Sequence, residues 1–205
     1  MQHHCSMESS HQTILDLAAQ RGLIRPCDLN ERGLPTVALT RLVRQGLLQR
    51  VGRGLYAIPD RPVSEHAALA ELASKHPQAI ICLLSALRLH ELTTQSPFEV
   101  WLAIPNKARS PKMDYPPLHI VRFSGAALTE GIEERVIDGV LVRVTNVART
   151  VADCFKFRKK IGLDVALEAL QEGWRAKRLS MDELWRYATL CRVANVMRPY
   201  MESLS

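Results

Sequence analysis

Residues 34–59 read LPTVALTRLVRQGLLQRVGRGLYAIP, and two periodicities meet in that stretch. Leu39, Leu42 and Val43 recur at the three-and-four spacing of one helical face, with Leu47 extending it, while Thr36, Thr40, Arg41 and Arg44 fall largely on the other side. Pro35 is tolerated near a helix start, where a backbone N–H has no intrahelical partner to lose. Gly46 suits the position just past the last turn, where a residue takes positive φ. The spacing predicts a helix of about ten residues. After Gly46 the pattern alternates: Leu48, Arg50 and Gly52 against Gln49 and Val51, then Gly52-Arg53-Gly54, then Leu55-Tyr56-Ala57-Ile58 closed by Pro59. Two short strands around a glycine-rich turn form a hairpin with Arg53 at its tip.

Working outward, Ser9 or Ser10 can cap a first helix whose apolar face is Ile14, Leu15, Leu17 and Ala18, and Arg21-Gly22 ends it. A short second helix follows over Pro26 to Glu31, with Leu29 as its core contact and Gly33 as the turn into the third. Three helices and a hairpin in this order make a winged helix-turn-helix domain over residues 10–60. On DNA, the third helix of such a domain enters the major groove. There Thr36, Thr40, Arg41 or Arg44 would reach base edges or phosphates, and Arg50 and Arg53 on the wing would meet phosphate or the minor groove. Winged helices also serve protein contact, which the pattern alone leaves open.

The 205 residues, 47% hydrophobic, suffice for a substantial core in one large or two small domains. The polar start MQHHCSMESSH lacks a signal-peptide core, and no apolar run is long enough to span a bilayer, so a cytoplasmic protein without membrane contact is expected. Met7 is an alternative start. The five cysteines are dispersed and never form C-x-x-C, which argues against a disulfide framework and a zinc knuckle. Cys82, Cys154 and Cys191 read as buried thiols. The net charge of +6 is uneven: residues 21–61 and 143–178 are each strongly basic, and 62–142 are slightly acidic.

Asp60-Arg61-Pro62 is a polar joint, and a second domain is expected over residues 64–203. Ser64 can cap a helix, and Ile80 to Leu92 reads as an apolar helix. Strands are predicted at 98–105 and 118–123, and a hairpin at 133–144 turns on Asp138-Gly139. Helices resume with Asn146 as a cap, then from Leu163, from Ser180 in the capping box SMDE, and around Met197. The fold class is therefore α+β, a winged helix-turn-helix followed by a small, mostly antiparallel sheet packed with helices. No metal, cofactor or enzymatic motif is present: His66 and His90 lie outside H-E-x-x-H, and Glu99, Asp114, Glu133 and Glu134 lack the spacing of a nuclease cluster. The basic run Lys156, Arg158, Lys159 and Lys160, with Arg143 and Arg149, is either a second nucleic-acid surface, a docking face for an acidic partner, or a solvated edge.

LVRQGLLQRVGRGLYAIP at 42–59 resembles the N-terminal winged helix of the AbiEi family, the antitoxins and transcriptional regulators of abortive-infection (viral defence) toxin–antitoxin systems. VWLAIP at 100–105, VRVTNVARTVADCFKFRKKIGLDVALEAL at 142–170 and RLSMDELWRYATLCRV at 178–193 resemble its antitoxin domain. The resemblance implies a two-part protein. Its first domain binds inverted repeats in double-stranded promoter DNA and represses its own operon. Its second counters a nucleotidyltransferase-like toxin without requiring a stable complex. The resemblance carries DNA contact to Thr36, Thr40, Arg41, Arg44 and Arg53, and the antitoxin role to Arg143, Arg149, Thr150, Asp153 and the run through Lys160. Arg149 and Asp153, four apart, also have the spacing of a helical ion pair, and Thr150 that of a backbone-bonded hydroxyl. An alternative is a stand-alone winged-helix regulator with a ligand-sensing or dimerising second domain.

Overall fold

The computed structural model describes residues 3–52, 54–59, 64–95, 97–113 and 115–204, residues 3–8 by backbone alone. Arg53, the joint Asp60-Arg61-Pro62 and Asp114 lie outside the described residues. The chain forms two compact units, one of residues 1–74 with 136–141 and one of residues 75–135 with 142–205.

The first unit contains α1 (His3–Arg21), α2 (Pro26–Asn30), α3 (Val37–Arg44), β1 (Gln49–Gly52), β2 (Leu55–Ala57) and α4 (Ala67–Lys75). Ile14, Leu17, Ala18, Ile24, Leu29, Ala38, Leu39, Leu42 and Leu48 make its core. The first helix starts at His3 and not at Ser9 or Ser10. The preceding residues contain neither glycine nor proline to stop it, and Ser9 accepts a hydrogen bond from the Thr13 hydroxyl inside the helix. Asp28 is the N3 residue of α2. It accepts the backbone N–H of Arg25 at 2.7 Å and the Arg25 guanidinium at 3.0 Å, satisfying a donor that the helix itself cannot. β1 and β2 are antiparallel with a bulge between Arg50 and Gly52, and Ile24 bridges to Tyr56 beside them. At the 136–141 segment the carbonyl of Asp138 accepts from the N–H of Leu23.

The second unit is built on a five-stranded sheet ordered β5-β4-β3-β7-β6, from β3 (Ile80–Ile81), β4 (Val100–Pro105), β5 (Leu118–Phe123), β6 (Ile132–Ile137) and β7 (Val140–Thr145). The expected small sheet packed with helices is present, and its pairing is mixed. β3–β4 is antiparallel, whereas β4–β5 and β3–β7 are parallel. The long 106–117 connection returns the chain to the starting end of β4, which a parallel neighbour requires. Asp138 and Gly139 both take positive φ, 52° and 76°, as a two-residue hairpin turn between β6 and β7 demands.

The predicted helix from Ile80 is corrected. Ile80 and Ile81 form the central strand, and only α5 (Leu83–Leu89) is helical. A short, wholly apolar run looks alike in a buried strand and a buried helix. Sheet neighbours on both sides decide it. Helices α6 (Val147–Lys156), α7 (Arg158–Ile161), α8 (Leu163–Arg175), α9 (Met181–Leu190) and α10 (Ala194–Glu202) complete the unit. Asn146 caps α6 by accepting from the N–H of Arg149, and Ser180 caps α9 with Glu183 in the predicted capping box. α6 packs against each of the other helices α5 and α7 to α10 and is buried along Ala148–Phe155.

Candidate nucleic-acid interface

α3 is positioned from below and from its end. Ala38, Leu39 and Leu42 face the core, with Leu42 fully buried, and Val43 packs against them partly exposed. Gly46, at φ 72°, donates to the Val43 carbonyl while Leu47 donates to that of Leu42. This pair of bonds is a Schellman termination, and it reverses the chain. One consequence departs from expectation: Leu47 is 46% exposed, and Leu48 takes the core position instead. The reversal shifts the apolar phase by one residue.

On the outer side, Thr40, Arg41 and Arg44 are exposed, Thr36 at the N-cap is half-buried, and Arg50 on β1 is exposed. The Thr36 hydroxyl makes no cap bond to its own helix. Arg41 and Arg44 occupy the last turn of α3, where the helix dipole favours a cation by ~0.3–1 kcal/mol. The Arg50 guanidinium donates to the Gly52 carbonyl at 3.2 Å, steadying the wing strand. Arg53 cannot be placed against them, since it lies outside the described residues. A residue that the sequence pattern does not single out completes the row. Val37 is 63% exposed and stands at the i, i+3, i+4, i+7 spacing with Thr40, Arg41 and Arg44. That spacing was the signal available to find it.

Positive charge in the first unit is concentrated on α3 and β1, where Arg41, Arg44 and Arg50 are exposed. Asp28, the one buried charged residue among the described residues of this unit, is held between Arg25 and Arg21. Burial alone would raise the Asp28 carboxyl. The hydrogen bonds from the Arg25 side chain and N–H, with the charges of Arg25 and Arg21, outweigh burial and hold the carboxyl below the usual range. Its negative charge is thus compensated within the unit.

The second set of sequence candidates divides. Lys156, Lys159 and Lys160 are exposed and Arg158 is half-buried, donating to the Phe155 carbonyl. The ammonium groups of Lys156 and Lys160 stand 5.9 Å and 6.0 Å from the centre of the Phe157 ring. Arg143 is half-buried and donates to the Leu128 carbonyl. Arg149, Thr150 and Asp153, by contrast, are wholly buried and belong to no surface. The Arg149 guanidinium bonds Asp153 and the carbonyls of Glu130 and Ala127, and lies 5.1 Å over the Phe123 ring. Thr150 bonds the carbonyls of Asn146 and Thr145. Every one of these polar groups is paired, as burial demands. The 149–153 segment is therefore a core motif.

Burial pushes the Asp153 carboxyl up against the pull of Arg149, and Cys191 donates its thiol to it at 3.1 Å. Burial and that same carboxylate push the Cys191 thiol up to about 12, which keeps the donor proton in place. Cys82 and Cys154 are likewise buried thiols. Of the carboxylates weighed as a nuclease cluster, Glu99 pairs with His119 and Glu133 with Arg135. Among the described residues no group of three His, Cys, Asp or Glu is arranged to hold a metal, and no helix is long and apolar enough to cross a membrane.

No curated protein matches the chain. In fold it is similar to the crystal structure of the RV2827C protein from Mycobacterium tuberculosis, with a TM-score of 0.53 and 14% identity over 96% of this chain and 80% of that one. In sequence, residues 12–59, which span α2, α3 and the wing, match the family model for the AbiEi antitoxin transcriptional regulators.

Proposed function

We propose that this protein is a DNA-binding autorepressor and antitoxin that occupies inverted repeats in its own promoter and counters a nucleotidyltransferase-like toxin encoded in the same operon. The observation that carries the reading is the exposed row Thr40, Arg41 and Arg44 on α3, with Arg50 on the adjoining wing, within the segment similar to AbiEi regulators. Such a row suits the major groove, where arginine bonds guanine in a bidentate manner, and a wing arginine suits phosphate. Thr36 at the N-cap joins this proposed contact set, as does Arg53, which the sequence puts between Gly52 and Gly54. Two copies bound to an inverted repeat would place their α3 helices about 34–36 Å apart, one turn of the duplex. Acting on the operon in this way makes the protein cytoplasmic.

The antitoxin role is assigned to the second unit, with Lys156, Lys159 and Lys160 as its exposed basic face and Arg143 and Arg158 as its half-buried members. The two roles are tested separately in one cell. A promoter reporter reads repression, and survival during toxin expression reads neutralisation. Arg44→Ala is expected to relieve repression and leave survival intact, and Lys156→Glu with Lys160→Glu the reverse. Loss of both readouts in a correctly folded Arg44→Ala variant would contradict the division of labour.

A further inference from the structure

Val37 is the apolar member of an otherwise polar row, and it is not among the residues packed on the core of its unit. A single exposed apolar residue is ordinary on a protein surface. Val37 stands, however, in line with exposed polar residues of the same helix face. Here 63% of the residue faces solvent. It is also the first residue of α3. In a helix-turn-helix the N-terminal residues of the recognition helix are those that contact base edges. Its β-branched side chain carries two methyl groups directly on Cβ, which restricts its rotation at χ1 and keeps them close to the backbone. Thr40 and Arg41 stand beside it at i+3 and i+4, and both are exposed. The only apolar feature on a major-groove base edge is the C5-methyl group of thymine.

We infer that Val37 reads a thymine: its branched methyls pack on the C5-methyl of one thymine in the major groove, and the bound duplex carries that base opposite the first turn of α3. The inference rests on the DNA-binding reading proposed above and adds to it the identity of a base. Arg41 and Arg44, further along the same row, would then address the neighbouring base pairs or phosphates. The valine contributes discrimination by apolar contact and their guanidinium groups by hydrogen bonding.

The test uses the full chain. A random duplex library is selected first, and the enriched duplex is then prepared with deoxyuridine replacing thymine one position at a time, which removes only the C5-methyl. We expect one replacement to weaken wild-type binding about three- to tenfold, the scale of one or two buried methyl groups. We expect Val37→Ala to bind the thymine and uracil duplexes alike while melting at the wild-type temperature. If no replacement matters, or if Val37→Ala keeps the full penalty for the same uracil, Val37 is not the reader, although the protein still binds DNA. If the wild type enriches no duplex at all, the DNA-binding reading fails and this inference with it.

Discussion

Arg149 and Asp153 face one another one helical turn apart in α6, Nε to Oδ2 3.0 Å, with both side chains fully shielded from solvent. Removing one partner strands the other as a buried charge, so Arg149→Met should cost ~3–5 kcal/mol of stability in urea unfolding. Replacing both, Arg149→Met with Asp153→Leu, should recover much of that loss. A single-variant loss no greater than the ~0.5 kcal/mol typical of surface sites would contradict the burial of the pair.

His90 links stability to pH. Its Nε2 bonds the Thr145 carbonyl at 2.7 Å and its Nδ1 accepts from the Arg135 guanidinium at 3.0 Å, an arrangement that fits only the neutral ring. Burial lowers its pKa, opposed by the Thr145 bond and aided by the charge of Arg135. The unfolded chain therefore binds the extra proton first. Stability is complete above the ordinary histidine value of about 6.5 and declines as pH falls below it toward the lowered value, by at most ~1.4 kcal/mol per pH unit. Urea midpoints at several pH values check this, and in His90→Gln that decline should flatten.

Asp28 gives the opposite partner of that test in the first unit. Its carboxyl is depressed, so its contribution is present above about pH 3.9 and is lost as pH falls through the folded value. Asp28→Ala should destabilise the unit by ~1–2 kcal/mol at neutral pH, the scale of a lost helix cap, with the difference from wild type closing in acid. An undiminished difference at low pH would mean that packing, and not the charge, is responsible.

Gly46 separates conformation from space. A side chain there would meet no atom within 4 Å, yet φ is +72°. Gly46→Ala is expected to cost ~1–2 kcal/mol purely through the left-handed backbone, and Gly46→Asn less, since asparagine tolerates that region. Equal costs for the two would point to a clash that the structure does not contain.

Local rules made much of the fold legible. Leu39, Leu42 and Gly46 delimited α3, Asp138-Gly139 announced its turn, and Asn146 and Ser180 announced their caps, because each acts through neighbours in sequence. What failed depended on distant neighbours. Ile80 and Ile81 are a strand because β4 and β7 flank them. Leu47 and Leu48 exchanged places because two backbone bonds to Leu42 reverse the chain. The exposure of the candidate residues was legible to the same degree. The exposed row on α3 followed from spacing, whereas Val37 carries no charge or hydroxyl to single it out in the sequence. In α6 the spacing of Arg149 and Asp153 as an ion pair and of Thr150 as a backbone-bonded hydroxyl was legible, whereas their complete burial depends on the helices that pack around α6.

The proposed hold of the α3 row on DNA through charge is tested by a salt titration of binding to the protein's own promoter duplex. Each phosphate contact adds about 0.9 to the slope of log K against log salt, so Arg41→Ala and Arg44→Ala should each weaken binding, and a variant that has lost a phosphate contact should show a slope shallower by about one. Tight, salt-sensitive wild-type binding is expected, with at least one of the two variants flattening the slope. Wild-type binding that is absent, or that keeps the same slope and affinity in both variants, would contradict it.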